Sequence, residues 1–408
     1  MQAENNKKDI KTLSFGCRLN TLECEKIKNM LAACGICGVI VNTCSVTAEA
    51  ERQCAQAVRK IARENPGATI FITGCGATRN PDLFKKIPGA VVIPNAQKMN
   101  IDAYIGGGIC GNSFVGNFDG DEKLSKKFVQ IQNGCNHDCT YCVTRLLRGV
   151  AVSFEYDDIL ADVCRATQNG FGEVVLTGVD AASYIKNYGG RPFLLADLCR
   201  QLLADVPAVQ RLRLSSVDPA VPTIRDIIEM MKVESRFMPH LHLSMQSGSD
   251  TILNAMRRRH TADMVRELVR VANGRVSFGW DIICGFPGES DDLFNETLAL
   301  VRELKPVRVH AFPYSPRPGT VAAEMPNQIP RDVSKHRVKL ITDAAAENMR
   351  EFMAKLVGTR TSVLVESDNM ARTPDDIPVH ISGTPIPAKA ICNVDITGIK
   401  DDVLTGER

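Results

Sequence analysis

The run GCNHDCTYC at residues 134–142 brings Cys135, Cys139 and Cys142 into one short loop. Three thiolates are soft ligands that suit zinc, copper(I) or an iron–sulfur cluster. A cluster with three protein ligands keeps one iron open to a small molecule, whereas a structural metal site is closed. His137, inside the same loop, offers the alternative of a Cys3His zinc site, although structural zinc ligands usually come as two short-spaced pairs from separate places. Three close cysteines make an awkward disulfide set, and nothing else in the chain suggests secretion. Burial as small apolar thiols accounts for one such cysteine better than for three.

A second trio emerges from the elements that must carry it. Residues 9–17 (DIKTLSFGC) read as an extended run ending in Cys17, and residues 21–35 follow with helical spacing and a terminal glycine. Residues 38–44 (GVIVNTC) repeat the pattern and end in Cys44. A helix over 47–65 with Thr47 as its cap comes next, and then a strand at 68–75 (ATIFITGC) ends in Cys75. Strands joined through helices run parallel, and ligands of open α/β sheets collect at the carboxyl ends of the strands. Cys17, Cys44 and Cys75 are therefore expected on one rim; the plain alternative is that cysteine is simply a small residue tolerated at strand ends. Cys24, Cys34, Cys37, Cys54 and Cys110 lack this placement and read as core or surface thiols.

Composition bounds the classes available. With 408 residues, 44% hydrophobic and 24% charged, the chain can bury two or three substantial cores. Its polar start precedes no apolar signal core, and no stretch approaches the roughly 20 apolar residues of a membrane span, so a cytoplasmic protein without a membrane partner is expected. Fifteen cysteines then point to metal ligation and buried thiols in a reducing compartment. A net charge of +2 gives no strong global attraction to nucleic acid, so any RNA must be held by local basic patches.

The alternation resumes at larger scale after the first cysteine loop. Strand candidates at 127–134, 173–180, 211–216, 239–246, 275–283 and 308–315 are separated by helical stretches, the first of them over 154–169. Six such strands fit a parallel sheet curled into a partial (β/α)6 barrel with its chemistry at the carboxyl-end rim. Gly178, Asp180, Ser215, Ser216, Gln246 and the GFPGE run at 285–289 fall on that rim, where glycines let a ligand approach the backbone and polar groups bond its edges. Gly-Pro-rich turns after strands are also ordinary turns, and Asp180 and Asp281 serve equally as helix caps or structural carboxylates. Residues 332–358 read as a long helix, and from 359 onward alternating segments among prolines read as a small all-β module. The expected α/β organisation is thus an open parallel α/β domain over 1–120, the barrel over 121–358 and the β module over 359–408. That module carries five Lys or Arg against eight Asp or Glu, a poor match for phosphate.

With these residues in view, the chain resembles the radical S-adenosylmethionine (SAM) methylthiotransferases. CNHDCTYC resembles their cluster loop, and the upstream cysteine trio resembles their amino-terminal domain. Three groups share the plan, acting on isopentenyladenosine in tRNA, on an aspartate of a ribosomal protein, or on N6-threonylcarbamoyladenosine beside the anticodon at position 37. NTCSVTAEAERQ (42–53), LTGVDAASY (176–184), RLRLSSVDP (211–219) and HLSMQSGSDTILNAMRRRH (242–260) most resemble the third group. The resemblance implies that Cys135, Cys139 and Cys142 hold a [4Fe-4S] cluster whose open iron chelates SAM, and that Cys17, Cys44 and Cys75 hold an auxiliary [4Fe-4S] cluster. It implies cofactor contacts at Tyr141, Gly178, Ser215, Gln246 and Gly285, with the GFPGE run bordering the adenine, and an RNA-binding TRAM-like tail.

Carbon 2 of adenine is unactivated, so the implied reaction uses a 5'-deoxyadenosyl radical from SAM, a second SAM as methyl donor, and no catalytic side chain. The implied partners are tRNA, a reducing protein such as flavodoxin or ferredoxin, and a sulfur donor. One departure stands out. After Cys142 the family pattern has apolar residues, a proline and an aromatic, whereas this chain reads VTRLLRG at 143–149. Basic candidates for RNA are Arg145, Arg148 and the run Arg257, Arg258, Arg259 and His260, although charge runs on helices are usually solvated faces.

Overall fold

A computed structural model describes residues 10–105 and 124–408. They form two compact units: residues 10–105 with Cys142–Val150, and residues 124–141 with 151–408. Cys110 and the boundary expected near residue 120 lie outside the described residues. Among the described residues no helix is long and apolar enough to cross a membrane.

The first unit is an open parallel sheet in the order β1 (Ile10–Ser14), β2 (Gly38–Thr43), β3 (Ile70–Thr73), β4 (Ala90–Val92). Every residue of β2 is buried, as a parallel strand covered on both faces requires. Val39 and Val41 pack with Ala55, Val58 and Ile61 of α2 (Ala48–Glu64), while Ile40 packs with Ile27 and Leu31 of α1 (Arg18–Ala33). Thr47 caps α2 as expected, its Oγ1 accepting from the Ala50 N–H at 3.1 Å. Two short helices, α3 (Gly74–Arg79) and α4 (Asp82–Lys85), follow β3, and α5 (Thr144–Arg148) groups with this unit.

The second unit carries six parallel strands. β5 (Lys126–Gln130) is followed by the short antiparallel pair β6 (Gln132–Asn133) and β7 (Val152–Ser153), then α6 (Tyr156–Gln168) and β8 (Glu173–Thr177). A hairpin of β9 (Ile185–Tyr188) and β10 (Arg191–Leu194) precedes α7 (Leu195–Asp205) and β11 (Arg211–Leu214). The chain continues through α8 (Ile224–Val233), β12 (His240–Gln246), α9 (Asp250–Ala255), α10 (Ala262–Ala272), β13 (Ser277–Cys284), α11 (Asp291–Leu304) and β14 (Arg308–Pro313). β5, β8 and β11 form one parallel sheet, and β12, β13 and β14 another. The bridges Leu212 to Phe237 and Val217 to Leu243 join them, giving the expected partial barrel. Side-chain alternation sorts its faces. Val174, Leu176, Leu212, Leu214, Leu241, Leu243, Trp280 and Ile282 pack into the helical layer, and the residues between them face inward.

After α12 (Val321–Glu324), the long α13 (Arg331–Leu356) leads to a closed five-stranded barrel. Its strands are β15 (Arg360–Ser367), β16 (Met370–Arg372), β17 (Pro378–Ile381), β18 (Ile391–Lys400) and β19 (Val403–Glu407). Alternation in the sequence disclosed three of these; β16, of three residues, and β19, beside the terminal turn, show too little alternation to be read.

The small barrel is fastened to the amino ends of the large one by buried charge. Glu173 is fully buried and takes Arg213 Nε at 2.7 Å, with Lys126 Nζ 3.6 Å away. Asp376, from the turn after β16, accepts from Lys126 at 3.0 Å and from Arg308 at 2.7 Å. Arg211 reaches Ser362 O at 2.8 Å, and Arg213 reaches Pro374 O at 2.9 Å. Burial would raise both carboxyls, but Arg213 and Lys126 hold Glu173 below its ordinary value, and Lys126, Arg213, Arg372 and Arg308 hold Asp376 far below it. Asp376→Asn is expected to destabilise this unit by about 3–5 kcal/mol in denaturant titration, since it strands buried cations; a loss within experimental error would contradict this. Because both folded pKa values are depressed, their stabilisation is present above about pH 4 and is lost as pH falls through the folded values. Stability of the wild type measured against pH should therefore fall more steeply below pH 4 than that of Asp376→Asn.

Candidate metal centres and cofactor rim

Parallel strand order delivers the first trio to one edge. Cys44 directly follows β2, Cys17 is the residue before α1, and Cys75 is the second residue of α3. Cys17 is open to solvent, Cys44 is buried and Cys75 lies between. Desolvation in dense surroundings is the largest effect raising the Cys17 and Cys44 thiols, and proximity adds to it, Cys75 raising Cys17, and both Cys17 and Cys75 raising Cys44. Gly16, at φ 87°, passes so close that a Cβ there would stand 2.5 Å from Cys44 Sγ.

Beside these thiols lies a buried charge network that sequence reasoning missed. Glu23 is 1% exposed and takes Lys98 Nζ at 2.6 Å and Arg148 Nη1 at 2.9 Å. Arg148 also donates to Asn20 Oδ1 at 2.6 Å, and Lys98 donates to Asn95 Oδ1 at 3.0 Å. Asn95 Nδ2 in turn reaches Cys75 Sγ at 3.6 Å and Leu147 O at 3.0 Å. Burial works against the Glu23 carboxylate, yet Arg148 and Lys98 keep its pKa lowered. Two cations against one anion leave a surplus positive charge close to sulfur, and Arg148 is the largest effect opposing the rise of Cys17. The available signal was Asn20 and Glu23 interleaved with Leu19, Leu22 and Ile27 on the buried face of α1.

In the second trio each sulfur meets a nearby N–H donor, and Cys135 and Cys142 also face the acceptors Asp180 Oδ2 and Thr144 Oγ1. The His137 N–H points to Cys135 Sγ at 3.4 Å, Arg258 Nη1 to Cys139 Sγ at 3.6 Å, and the Thr144 N–H to Cys142 Sγ at 3.4 Å. His137 Nε2 lies 2.8 Å from Asp180 Oδ2, and Ser183 Oγ donates to the same oxygen. Cys135, His137 and Asp180 fall within 4.8 Å of one another, a set different from the Cys3His site that the sequence offered as an alternative.

The rim residues sit where strand ends predict. Gly178 and Asp180 follow β8, Ser215 and Ser216 follow β11, Gln246 ends β12 and Gly285 follows β13. Gln246 has φ 70° beside a register break after Leu243, a left-handed backbone unusual for glutamine and typical of functional sites. Ser215 Oγ is buried without a hydrogen-bond partner, as a ligand-facing hydroxyl would be. Tyr141 packs beside Phe286, Met256 and Ala322. The glycines make room for the protein itself: a Cβ on Gly178 would meet Gln132 Oε1 at 2.9 Å, and one on Gly285 would meet Ser334 Oγ at 1.9 Å. Glu289 closes the GFPGE turn, accepting from the Gly285 N–H at 2.6 Å and from Arg337 at 2.8 Å.

Only part of the basic run is open to solvent: the Arg257 and Arg259 side chains are 52% and 50% exposed, while Arg258 and His260 are buried. Arg258 is buried against Asp218 at 3.2 Å and against Cys139. Arg259 takes Asp218 at 3.1 Å, Arg257 takes Asp138 at 2.9 Å, and the His260 side chain is fully buried. Arg148 is likewise sequestered by Glu23, whereas Arg145 remains exposed.

Comparison with known proteins adds the following. Residues 129–301 match the radical SAM superfamily, and residues 9–93 match uncharacterized protein family UPF0004. A threonylcarbamoyladenosine tRNA methylthiotransferase MtaB of Rickettsia prowazekii (strain Madrid E) is 38% identical over 387 residues, covering 90% of each chain. The protein of that name from Thermotoga maritima is 32% identical, covering 88% of this chain and 87% of the relative. A tRNA-2-methylthio-N(6)-dimethylallyladenosine synthase of Ehrlichia canis is 29% identical, covering 87% of each. Among solved structures, the radical S-adenosylmethionine methyltransferase TsrM from Kitasatospora setae, with cobalamin and a [4Fe-4S] cluster bound, shares the fold. Its TM-score is 0.51 at 14% identity, over 70% of this chain and 65% of that one.

Glu23→Gln is expected to lower the stability of the first unit by about 3–5 kcal/mol, because Lys98 and Arg148 would be left buried without their anion. Adding Lys98→Met should restore part of the loss. Thermal or denaturant unfolding checks this, and a double variant no better than the single one would contradict the electrostatic account.

Proposed function

The chain belongs to the radical SAM methylthiotransferase family, and on that premise we propose that it installs a methylthio group at carbon 2 of N6-threonylcarbamoyladenosine at position 37 of tRNA. The observation that carries the reading is 38% identity across 90% of both chains to a relative named for that nucleoside. The sequence carries Cys17, Cys44, Cys75, Cys135, Cys139 and Cys142 in the two settings described above. Radical SAM enzymes use SAM and a [4Fe-4S] cluster; a second cluster at Cys17, Cys44 and Cys75 is part of the proposal. In this reading residues 1–120 present the auxiliary cluster, 121–358 the SAM-binding barrel and 359–408 a module that orients tRNA.

The donor set fits such groups. Each trio offers three thiols, which leaves one metal position of a four-iron cluster for a reactant, and N–H groups point at Cys135, Cys139 and Cys142. When bound, the reduced cluster supplies the electron that splits SAM, and SAM supplies both the radical and the methyl group. The chain's own contribution is placement. Arg258, held by Asp218 and by the Ser244 carbonyl at 2.8 Å, puts a fixed positive charge at Cys139. Ser215 and the strained Gln246 present polar groups at the rim, with Tyr141, Gly178 and Gly285 beside them as proposed cofactor contacts. A flavodoxin or ferredoxin as reductant, a sulfur donor and a cytoplasmic setting complete the proposal.

Mass spectrometry of tRNA nucleosides from a strain lacking the gene should show loss of 2-methylthio-N6-threonylcarbamoyladenosine with its unthiolated precursor accumulating. Loss of the dimethylallyl counterpart instead would contradict the assignment. Protein purified without oxygen should hold about eight irons and eight sulfides per chain. Cys139→Ala should keep about half the iron and lose SAM cleavage; zinc as the sole metal would overturn the chemistry.

A further inference from the structure

His242, Asp281 and His310 stand on the three adjacent strands β12, β13 and β14, on the face turned away from the helical layer. Asp281 and His310 are direct partners in the strand register, and His242 pairs with Gly279. His242 Nε2 lies 3.0 Å from Asp281 Oδ1, and His310 Nδ1 lies 3.5 Å from the same oxygen. The imidazole rings are 5.0 Å apart. Gly279 makes the cluster possible, since a Cβ there would stand 2.5 Å from His242 Nδ1.

Two observations point to a ligand. His242 Nε2 is buried and its one polar neighbour, Asp281 Oδ1 at 3.0 Å, lies off the hydrogen-bond direction and is shared with His310, so the donor is only partly satisfied. A polar atom left so is costly unless something else satisfies it. Second, Phe312 follows His310 on the same face of β14, 44% exposed, with its ring edge-on to His310 at 6.4 Å between centroids. An exposed aromatic is a stacking surface for a base, and two residues along a strand span about 6.6 Å. A purine stacked on Phe312 would thus have a substituent of a few bonds within reach of the histidines and Asp281.

We infer that His242, Asp281 and His310, with Phe312 as the stacking surface, read the N6 substituent of the target adenosine and select a polar, carboxylate-bearing substituent over an apolar one. The Asp281 carboxylate can accept from urea N–H or hydroxyl donors, and the imidazole N–H groups can donate to a carboxylate. A dimethylallyl group offers no such partner and would leave His242 Nε2 poorly satisfied, and sites built to bond a polar group reject analogues lacking it far more strongly than apolar pockets reject an added polar group. The inference rests on the proposed nucleoside and specifies which residues discriminate it.

The test uses the full-length, cluster-loaded protein and anticodon stem-loops carrying N6-threonylcarbamoyladenosine, N6-dimethylallyladenosine or plain adenosine at position 37, with affinity read by fluorescence anisotropy. The wild type should prefer the first over the second by roughly tenfold or more. His242→Leu should shrink that ratio to within about threefold, and His310→Gln, at a side chain that is half exposed and so tolerant of change, should reduce it in the same direction. If the wild type prefers the dimethylallyl stem-loop, the proposed nucleoside itself fails. If the wild type prefers the threonylcarbamoyl stem-loop and His310→Gln keeps the full ratio, only the present inference fails. A further equivalent of zinc in the wild type that His242→Leu loses would also overturn it, by giving the three groups a metal to hold.

Discussion

A parallel strand can present its turn residues to a ligand only at its carboxyl end, and both units of this protein are built on that constraint. β1, β2 and β3 each run into a turn or helix start that carries one cysteine. β8, β11, β12 and β13 end in Asp180, Ser215, Gln246 and Gly285 by the same geometry. The amino ends are left free for another purpose. In the barrel they hold Lys126, Glu173, Arg211 and Arg213, and these receive Asp376 and the backbone of the small β module. One end of the sheet carries reactive groups and the other carries the attachment.

Buried charge sets the character of both ends. Glu173 and Asp376 lie among Lys126, Arg211, Arg213, Arg308 and Arg372, and Glu23 lies between Lys98 and Arg148. Cations outnumber anions in each group. Near the cysteines of the first unit that surplus opposes the rise that burial gives the Cys17 thiol, Arg148 being the largest opposing effect. Arg258 beside Cys139 repeats the device in the barrel. Two of the eight acidic residues of the β module, Asp376 and Glu366, face Lys126, and Asp376 also faces Arg308, so part of its acidic charge serves this attachment.

Much of this was legible in the chain. Apolar runs such as GVIVNT at 38–43, with cysteine just after, disclosed the sheet and the rim because parallel strands are buried on both faces and their ends are stereotyped. The six barrel strands and the Thr47 cap were visible for the same local reasons. What stayed hidden depends on tertiary approach. Nothing in the spacing of MRRRH says that Arg258 turns inward to Cys139 while Arg257 pairs with Asp138 at the surface, since a charge run looks alike whether solvated or buried. Arg148 read as an RNA contact although its partner Glu23 lies 125 residues earlier. His242, Asp281 and His310 were invisible as a group because one residue comes from each of three strands, and Asp281 alone is as plausible as a structural carboxylate.

The central claim is that six cysteines form two separate three-thiolate sites, each for a multi-iron cluster. Anomalous diffraction across the iron edge from crystals grown without oxygen tests it most directly. The account requires two iron centroids per chain, one bonded to Cys17, Cys44 and Cys75 and the other to Cys135, Cys139 and Cys142, each with an iron that no protein side chain ligates. A single iron centroid, or an edge signal from zinc at either trio, would contradict it.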